Sequence, residues 1–585
     1  MSQRLRRSFV MRTRWQFILC ALMLGTASLL TSNLLTFAAP GAKAKGASEA
    51  AADYGIPQIT LINESIRQGW KDFQLTPSKP ATDNEWCRRV FLDVLGRIPS
   101  VTEMETFLSD TSPKKRLDLV NRLLGDEYAE EYARNWTTIW TNVLIGRTGG
   151  SEDNTLINRE GMMQYLRRCF QRNKSYDQMV EELITATGST TPGKEDFNGA
   201  TNFLVMKYEE KAAQATAKTS QIFLGLQVQC TQCHNHPFND WKQNQFWEMN
   251  AFFRQSRPLR EFDGGRDVAN VRLVDESFEG EGGNPAEAEL YYELRNGLMK
   301  VAFPVFVDGK SLVDIHGEEK GNSGYLEDVN RRQELSKMIK ASRYMDKAIV
   351  NRYWAHFLGY GFTKPIDDMG PHNGPTHPEL LDKLGLGVRE HSFDLHELIR
   401  WITLSEAYGL SSQMNTTNKK DDPSLGEKPM FSHFYLRQMQ AEDLYESLIT
   451  ATQAQKSGGT YEEQEAKKRL WLGQFSQAFG TDEGDEATTF NGTIPQALMM
   501  MNGELVNTAI STDKGSFLAQ VAGNAKLSPE QKITYLYMAA LGRAPSSKEL
   551  TVGNWMLTNR KGEMTTALQD MWWVLLNTNE FILNH

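Results

Sequence analysis

Two cysteines and two histidines lie close together in the stretch "QCTQCHNHPF", which spans residues 229–238. Cys230, Cys233 and His234 form the pattern Cys-x-x-Cys-His, the minimal sequence for attaching haem c. In that chemistry the thiols bond the haem covalently and the histidine ligates its iron. The motif therefore predicts a haem site in which Cys230 and Cys233 anchor the cofactor and His234 is an axial ligand.

The same stretch also fits a metal site without haem. Thiolate and imidazole are ligands that zinc and iron accept readily. Cys230 and Cys233, with His234 or His236, would supply three ligands, and a fourth would come from elsewhere in the chain. If the site holds a haem, the motif does not specify the second axial ligand of its iron. The candidates for it are Met206, Met249, His316 and His356.

A third interpretation of the motif is structural. One face of a helix carries apolar residues at alternating steps of four and three, and such a series leads into the motif. Its members are Thr219, Phe223, Leu226, Cys230 and Cys233. Free cysteine packs well as a small apolar residue. Under this interpretation a helix runs through the motif, and both sulfurs lie in the core among Phe and Leu side chains.

A second group of polar residues lies in "DDMGPHNGPTH", residues 367–377. Two imidazoles and a carboxylate can hold a divalent metal with open positions, and a carboxylate beside a histidine can do acid–base work. The candidate metal ligands of the chain are thus His236, Asp367, Asp368, His372 and His377. The alternative is a turn followed by a helix beginning at Pro378, because these residue types favour turns and proline favours the first helical position.

Several enzyme classes receive no support from the sequence. The chain contains no P-loop, no Gly-x-Gly-x-x-Gly turn, no Gly-x-Ser-x-Gly elbow and no His-Glu-x-x-His motif. Nucleic-acid binding is also disfavoured, because it requires a basic face. The first 45 residues hold seven of the 64 basic side chains and no acidic one, so the remainder carries 57 basic against 73 acidic groups.

The first 44 residues predict an export signal or an N-terminal membrane anchor. A basic start is followed by the apolar run "WQFILCALMLGTASLLTSNLL" and then by "TFAAPGAKAKG", the order of regions in an export signal. Cleavage would follow Ala39 or Ala44. The run of about 20 residues is also long enough to span a membrane. We therefore expect an exported protein, periplasmic or at the cell envelope, that contacts the membrane only through this segment.

Helical periodicity dominates the rest of the chain. It is clearest over 83–95, 115–124, 160–185, 205–233, 328–358, 392–407 and 436–453. Between 268 and 308 the pattern changes to strands, and Asn296-Gly297 predicts a hairpin. The predicted fold class is mainly α, with two helical regions separated by a small antiparallel β insert. The corresponding domains are a helical one over 60–255, a β unit over 256–315 and a second helical one over 316–585.

One motif occurs twice, as "LGRIPSVTE" at 95–103 and as "LGRAPSSKE" at 541–549. The glycine is typical of a helix end in the left-handed conformation. The serine and the glutamate three residues later form a capping box for the next helix. The repeat therefore predicts two helix–turn–helix joints and requires no chemistry.

The longer motifs resemble a known family. They are similar to the large exported planctomycete proteins that have a cytochrome-c-associated N-terminal domain and a paired C-terminal domain, both of unknown function. The stretches that carry the resemblance are "CRRVFLDVLGRIPS", "TSQIFLGLQVQCTQCHNHPFNDWKQNQFWEMNAFF", "NRYWAHFLGYGFTKPIDDMGPHNGPTHPELLDKL", "DLHELIRWITLSEAYGLSS" and "TIPQALMMMNG". Cys87 and Cys169 stand where relatives usually have an apolar residue, which implies a packing role for both.

The resemblance implies association with cytochromes but no established enzymatic activity. The leading hypothesis is an exported haem- or metal-binding protein that works in or beside electron transfer, with a redox protein or cytochrome as its partner. A second hypothesis is a non-catalytic envelope or surface interaction protein whose Cys/His motif is structural. A third is a metal-dependent enzyme that uses the loop 367–377. The cofactor is accordingly haem c, a divalent metal, or none.

Overall fold

The computed structural model describes residues 53–150, 155–276, 290–317, 324, 326–457, 459–479, 494–560 and 563–585. The predicted export segment, 1–44, lies outside these residues. Within them, no helix combines the length and the apolar composition needed to cross a bilayer.

Helices make up most of the described chain, so the prediction of a mainly α fold is confirmed. Up to residue 316 they are α1 (Pro57–Asp72), α2 (Asp83–Leu95), α3 (Val101–Ser109), α4 (Lys115–Leu123), α5 (Ala129–Ile145), α6 (Arg159–Gln171), α7 (Tyr176–Thr185), α8 (Thr201–Val205), α9 (Glu209–Leu224), α10 (Gln243–Asn250) and α11 (Leu312–His316). Those that follow are α12 (Arg331–Ala341), α13 (Arg343–Leu358), α14 (Pro378–Glu390), α15 (Leu395–Thr403), α16 (Ala441–Thr452), α17 (Tyr461–Phe479), α18 (Ile494–Asn502), α19 (Glu504–Ala509), α20 (Phe517–Gly523), α21 (Pro529–Leu541), α22 (Ser547–Asn559), α23 (Met564–Leu576) and α24 (Asn579–Ile582).

The strands form small antiparallel sheets. They are β1 (Gly188–Ser189), β2 (Ser256–Phe262), β3 (Val268–Asp275), β4 (Tyr291–Glu293), β5 (Met299–Val301), β6 (Arg437–Gln438) and β7 (Leu583–Asn584). The first three form one sheet in the order β1-β3-β2, and the others pair as β4-β5 and β6-β7. The hairpin predicted at Asn296-Gly297 is confirmed, because Tyr291 pairs with Val301 across that turn.

Both copies of the repeated motif form the predicted joint. Gly96 and Gly542 end α2 and α21 in the left-handed conformation, with φ of 71° and 69°. Ser100 and Ser546 each make a capping box with the glutamate three residues later. The arginine of each copy also pairs with that glutamate at 2.9 Å. The shared sequence is therefore a structural joint, as expected.

The predicted helical stretch 205–233 is wrong, and the error concerns the segment that contains the cysteine motif. The stretch 205–233 is not one helix, because α9 ends at Leu224 and Gly225 caps it in the left-handed conformation with φ of 66°. Glycine suits this position because its φ is positive, and the terminal methyl of Met369 lies 2.3 Å from the position a Cβ would occupy, so that side chain would have to shift to admit one. The Cys-x-x-Cys-His motif therefore lies beyond the helix.

The buried apolar side chains form two clusters. The larger runs over positions 59–435, and the smaller runs over 439–581 and includes Leu92 and Ile98 from the first part of the chain. Residues on both sides of the predicted β unit thus share one core. The two clusters meet along α2, which contributes side chains to both.

A buried polar network ties distant parts of the chain together at Asp93 on α2. Its carboxylate accepts hydrogen bonds from the Tyr408 hydroxyl and the Asn584 amide, both at 2.7 Å. It also forms an ion pair with Arg437, and both partners are almost fully buried. The Asp93 carbonyl oxygen lies 2.9 Å from Nε2 of His356, so that histidine is engaged within the core.

Candidate functional site

The cysteine motif forms a short 3₁₀ turn, Gln229–Gln232, that follows the end of α9. Thr231 is buried and its hydroxyl donates to the Val228 carbonyl at 2.5 Å, which fixes the turn. Cys230 and Cys233 are both free and exposed. The expectation that both sulfurs pack in the core is therefore wrong, because the helix that would have buried them ends at Gly225.

The other two described cysteines behave as predicted. Cys87 and Cys169 are free and fully buried in the larger core cluster. Burial raises the pKa of both thiols, so neither is a reactive thiolate at neutral pH. Their packing role contrasts with the exposure of the motif cysteines.

His234 is oriented so that one ring nitrogen is free. Its Nδ1 lies 2.7 Å from the Asn235 carbonyl oxygen. A carbonyl oxygen can only accept, so Nδ1 carries the proton and the lone pair of Nε2 is available. A metal-binding histidine typically has this arrangement, in which the second nitrogen donates to a backbone carbonyl.

His236 has the opposite arrangement. Its Nδ1 accepts hydrogen bonds from the backbone N–H groups of Phe238 and Asn239, both at 3.2 Å. In the neutral ring the proton therefore lies on Nε2. Desolvation lowers the pKa of His236, which keeps the ring neutral. In this conformation His236 presents a proton donor rather than a free metal-ligating nitrogen.

The structure brings the two polar stretches together. The imidazole of His372 lies beside His236, with 6.1 Å between the ring centroids. Nε2 of His372 lies 2.8 Å from a carboxylate oxygen of Asp368. An exposed Asp–His pair from the second stretch thus faces a histidine of the cysteine loop.

Asp367 has a positioning role at this junction. Its two carboxylate oxygens accept hydrogen bonds from the side-chain amides of Gln221 and Gln227, at 2.6 and 2.8 Å. The backbone N–H of Met369 donates to the Gly225 carbonyl at 2.8 Å. These bonds dock the Asp–His loop onto the end of α9, directly before the cysteine turn. Neither glutamine was identified from the sequence, where an isolated amide carries no pattern.

His377 is buried in the core rather than at the surface beside the Asp–His pair. Its ring lies about 6 Å from those of Phe362 and Phe431. It precedes α14, so the predicted turn and helix start at Pro378 are confirmed. Its Nε2 atom has no hydrogen-bond partner and faces Gly69. Burial lowers the pKa of His377 to about 4.

The buried imidazole of His377 predicts a pH dependence of stability. The folded pKa lies below the unfolded value of 6.5, so the unfolded chain takes up the proton first as the pH falls. Between pH 6.5 and 4 we expect the unfolding free energy to fall by about 1.4 kcal/mol per pH unit from this group. The variant His377→Leu removes that contribution. Urea denaturation of both proteins across this range measures it, and equal pH slopes would contradict the assignment.

No preformed metal cluster is found among the residues that the structure describes. There, no three side chains of His, Cys, Asp or Glu lie close enough together to hold an ion. The sequence-predicted ligands are instead divided among three places. His236, Asp368 and His372 meet at the surface, Asp367 is held by two amides, and His377 lies in the core.

A cavity of about 420 Å³ lies beside the cysteine turn. The lining residues include Cys233, Trp247 of α10, and Tyr292 and Met299 of the β4–β5 hairpin. The rings of Trp247 and Tyr292 stack at 6.0 Å and 12°. Lys211 and Arg295 add positive charge to the wall. The cavity therefore joins an exposed thiol, an aromatic surface and cationic groups.

Comparison with known protein families divides the chain into two parts. Residues 61–258 match the model of PSCyt2, described as a protein of unknown function (DUF1549), and residues 331–557 match that of PSD1, described as a protein of unknown function (DUF1553). Each family model thus accounts for one part of the chain. The PSCyt2 part contains the cysteine turn, and the PSD1 part contains the Asp–His loop. No curated protein and no solved structure matches the chain.

Proposed function

We propose that this protein is an exported haem-binding protein of the cell envelope that works in or beside electron transfer. Cys230 and Cys233 would anchor the haem through thioether bonds, and Nε2 of His234 would ligate its iron. When bound, the haem supplies one-electron redox chemistry. A redox protein or cytochrome is the partner that this function requires.

The observation that carries the proposal is the exposure of both thiols on one fixed turn. Cys230 lies in the 3₁₀ turn and Cys233 is the residue that ends it, so a single short element positions both side chains. Their exposure leaves both sulfurs accessible to an attaching enzyme. This exposure contradicts the expectation that both sulfurs pack in the core.

The orientation of the His234 ring supports the same proposal. The hydrogen bond of Nδ1 to the Asn235 carbonyl leaves Nε2 as the free nitrogen, which suits an axial ligand. The nearby cavity of about 420 Å³ is lined by Cys233 but by neither Cys230 nor His234, so the proposal rests on the motif itself.

The proposal is tested by an absorption spectrum and a metal analysis of the chain, exported by a host that attaches haem c. We expect a Soret band that survives denaturation, with about one iron per chain. A bound metal without that band would favour a Cys/His metal site instead. If neither a Soret band nor a bound metal is found, the result would favour the non-catalytic interaction protein, in which the motif is only structural.

A second candidate function is a metal-dependent enzyme that uses the Asp–His loop. It is favoured by the meeting of His236, Asp368 and His372 at the surface. A carboxylate that accepts the N–H of an imidazole orients the other ring nitrogen toward a metal. Here Asp368 would orient His372 in this way, leaving Nδ1 as its ligating atom. His236 would join only after its Nδ1 hydrogen bonds break.

Zinc titration by calorimetry tests this second candidate. The chain with Cys230→Ala and Cys233→Ala is the background, so that the thiols do not contribute. If the Asp–His loop binds zinc, His372→Ala should weaken binding by at least about tenfold, as expected for loss of a ligand or its oriented partner. His377→Leu is the matched control and should have no effect, because His377 is buried elsewhere. Equal affinities in all three proteins would contradict the candidate.

A further inference from the structure

The cavity of about 420 Å³ is lined by residues of both the cysteine turn and the β4–β5 hairpin, and hydrogen bonds fix these two elements relative to each other. Gln243 is only 5% exposed, and its amide donates to the Gln232 carbonyl at 3.2 Å and to the Glu293 carbonyl at 2.9 Å. The indole N–H of Trp247 also donates to the Gln232 carbonyl at 3.0 Å. The cavity volume lies within the range of roughly 300–1,000 Å³ that small-molecule sites occupy. The cavity is therefore a built site of a size that fits a small ligand.

Part of the cavity lining is aromatic. It includes Trp247 of α10 and the adjacent residues Tyr291 and Tyr292 of β4. The rings of Trp247 and Tyr292 stack on each other, whereas Tyr291 is 48% exposed. Met299, on the paired strand β5, adds a half-exposed thioether. Aromatic side chains favour stacked or edge-on contact with other flat rings, and a methionine sulfur also makes favourable contacts with rings. This part of the lining therefore suits a ligand that contains a flat ring.

The cavity lining also has an excess of positive charge. Its charged residues are Lys211, Arg295 and Glu293. Within the described part of the chain, neither cationic side chain forms an ion pair, so both are available to a ligand. The chain after residue 45 carries 57 basic against 73 acidic groups, so this cationic lining differs from the acidic character of the chain as a whole. Lysine and arginine bind carboxylates through charge-assisted hydrogen bonds. The lining therefore favours an anionic ligand.

The backbone that carries Lys211 is held in an unfavourable conformation. Glu210, Lys211 and Ala212 are three consecutive left-handed residues, with φ of 51°, 59° and 60°. This conformation is costly for residues other than glycine. The side chains of Asn250 and Arg254 hold the segment by donating to the Lys211 carbonyl at 2.9 and 3.1 Å. Backbone strain of this kind clusters at sites that bind ligands, which agrees with a ligand-binding role for Lys211.

From these contacts we propose that the cavity binds a small aromatic carboxylate. The carboxylate of this ligand pairs with Lys211 and Arg295, and its ring lies against the aromatic part of the lining. Neither Cys230 nor His234 lines the cavity, so this ligand is separate from the proposed haem. Binding of the aromatic carboxylate goes beyond the proposed function and does not depend on it, because none of the contacts that hold the ligand involves haem.

Calorimetric titration of the exported chain with naphthoate, a flat aromatic carboxylate, tests the proposal. We expect naphthoate to bind at one site per chain. Naphthamide has the same ring but no charge, so it should bind at least about fivefold more weakly, because Lys211 and Arg295 have no anion to pair with. Decahydronaphthoate keeps the charge but its ring is saturated and not flat. It should bind at least about threefold more weakly than naphthoate, because it cannot stack on the aromatic residues.

Variants of the charged lining residues locate the bound naphthoate. Lys211→Gln combined with Arg295→Gln should weaken its binding by at least about fivefold, and Glu293→Gln should strengthen it by about twofold. Lys211→Arg combined with Arg295→Lys keeps both charges and should keep most of the affinity, which separates loss of charge from damage to the fold. The matched control is Lys419→Gln with Lys526→Gln. It removes two exposed cations that do not line the cavity, so the affinity should not change.

Three results would overturn the proposal. The first is a wild-type chain that does not bind naphthoate. The second is binding of naphthamide or decahydronaphthoate as tightly as naphthoate, which would show that the site does not require both a charge and a flat ring. The third is wild-type affinity in the variant that lacks both cations, which would place the bound naphthoate outside the cavity. None of these results would affect the proposal of covalent haem at the cysteine motif.

Discussion

Replacing Cys230 and Cys233 together by alanine is expected to abolish covalently bound haem. Each thiol supplies one bond to the cofactor, so no covalent link survives when both are removed. The measurement is haem-dependent peroxidase staining on a denaturing gel, after export in a host that attaches haem c. We expect a stained band for the wild type and none for the double variant.

The control for this experiment is Cys169→Ala, which removes a buried thiol that lies outside the motif. It should keep the stain, provided that the chain still folds. The single variants Cys230→Ala and Cys233→Ala each retain one attachment point and should keep a weaker stain. Staining of the double variant at the wild-type level would show that the haem is attached elsewhere.

Loss of the stain in the double variant would not reflect unfolding. Both thiols are exposed, so their removal should change the unfolding free energy by less than about 0.5 kcal/mol. Thermal melting of wild-type and variant proteins prepared without haem checks this expectation. A large drop in melting temperature would mean that the motif contributes to folding in its own right.

Asp93→Ala is expected to lower the unfolding free energy by about 3–5 kcal/mol, the largest stability effect that we predict. The variant leaves Arg437 buried without its carboxylate partner. It also leaves Tyr408 and Asn584 without their shared acceptor. Urea denaturation of the haem-free chain measures the change.

Asp382→Ala is the matched control for Asp93, because Asp382 also pairs with two cations but at the surface. Its carboxylate lies 3.2 Å from Arg343 and 3.1 Å from Lys347, and the side chain is 47% exposed. Removing this carboxylate should lower the unfolding free energy by no more than about 1 kcal/mol. If Asp93→Ala costs no more than this control, the buried network does not hold the two core clusters together. Should Asp93→Ala fail to fold, Asp93→Asn is the alternative variant. It keeps the shape of the side chain and should lower the unfolding free energy by a smaller, measurable amount.

Local chemistry in the sequence was enough to predict many helix starts and ends. The predicted stretch 83–95 coincides with α2, since Thr82 caps its start and Gly96 its end. The repeated Leu-Gly-Arg motif predicted both joints for the same reason. Capping residues act on the backbone within a few positions of their own place in the sequence. The helix ends that they predict therefore do not depend on contacts with distant parts of the chain.

The error at 205–233 arose where two local signals competed. The apolar series through Leu226 favoured a continuing helix, whereas Gly225 favoured an end. The helix ends there, with Gly225 in the left-handed conformation, and the backbone N–H of Met369, more than a hundred residues away, donates to the Gly225 carbonyl at 2.8 Å. Periodicity alone could not reveal that contact.

The two motifs of the candidate site could be predicted from the sequence, but their proximity in the fold could not. The cysteine motif and the Asp–His loop were each recognisable, because their residue types and spacing carry chemistry. Their meeting depends on Gln221 and Gln227, which reach Asp367 from more than 130 positions earlier in the chain. The β4–β5 hairpin is likewise linked to the cysteine turn by Gln243, a residue type with no pattern of its own.

The central claim is that the chain carries haem bonded to Cys230 and Cys233. The most direct measurement is the intact mass of the exported, denatured chain, followed by the mass of the peptide that contains residues 229–238. The account predicts a mass increase equal to one haem, located on that peptide. A chain with the unmodified mass, from a host shown to attach haem c to another protein, would contradict it.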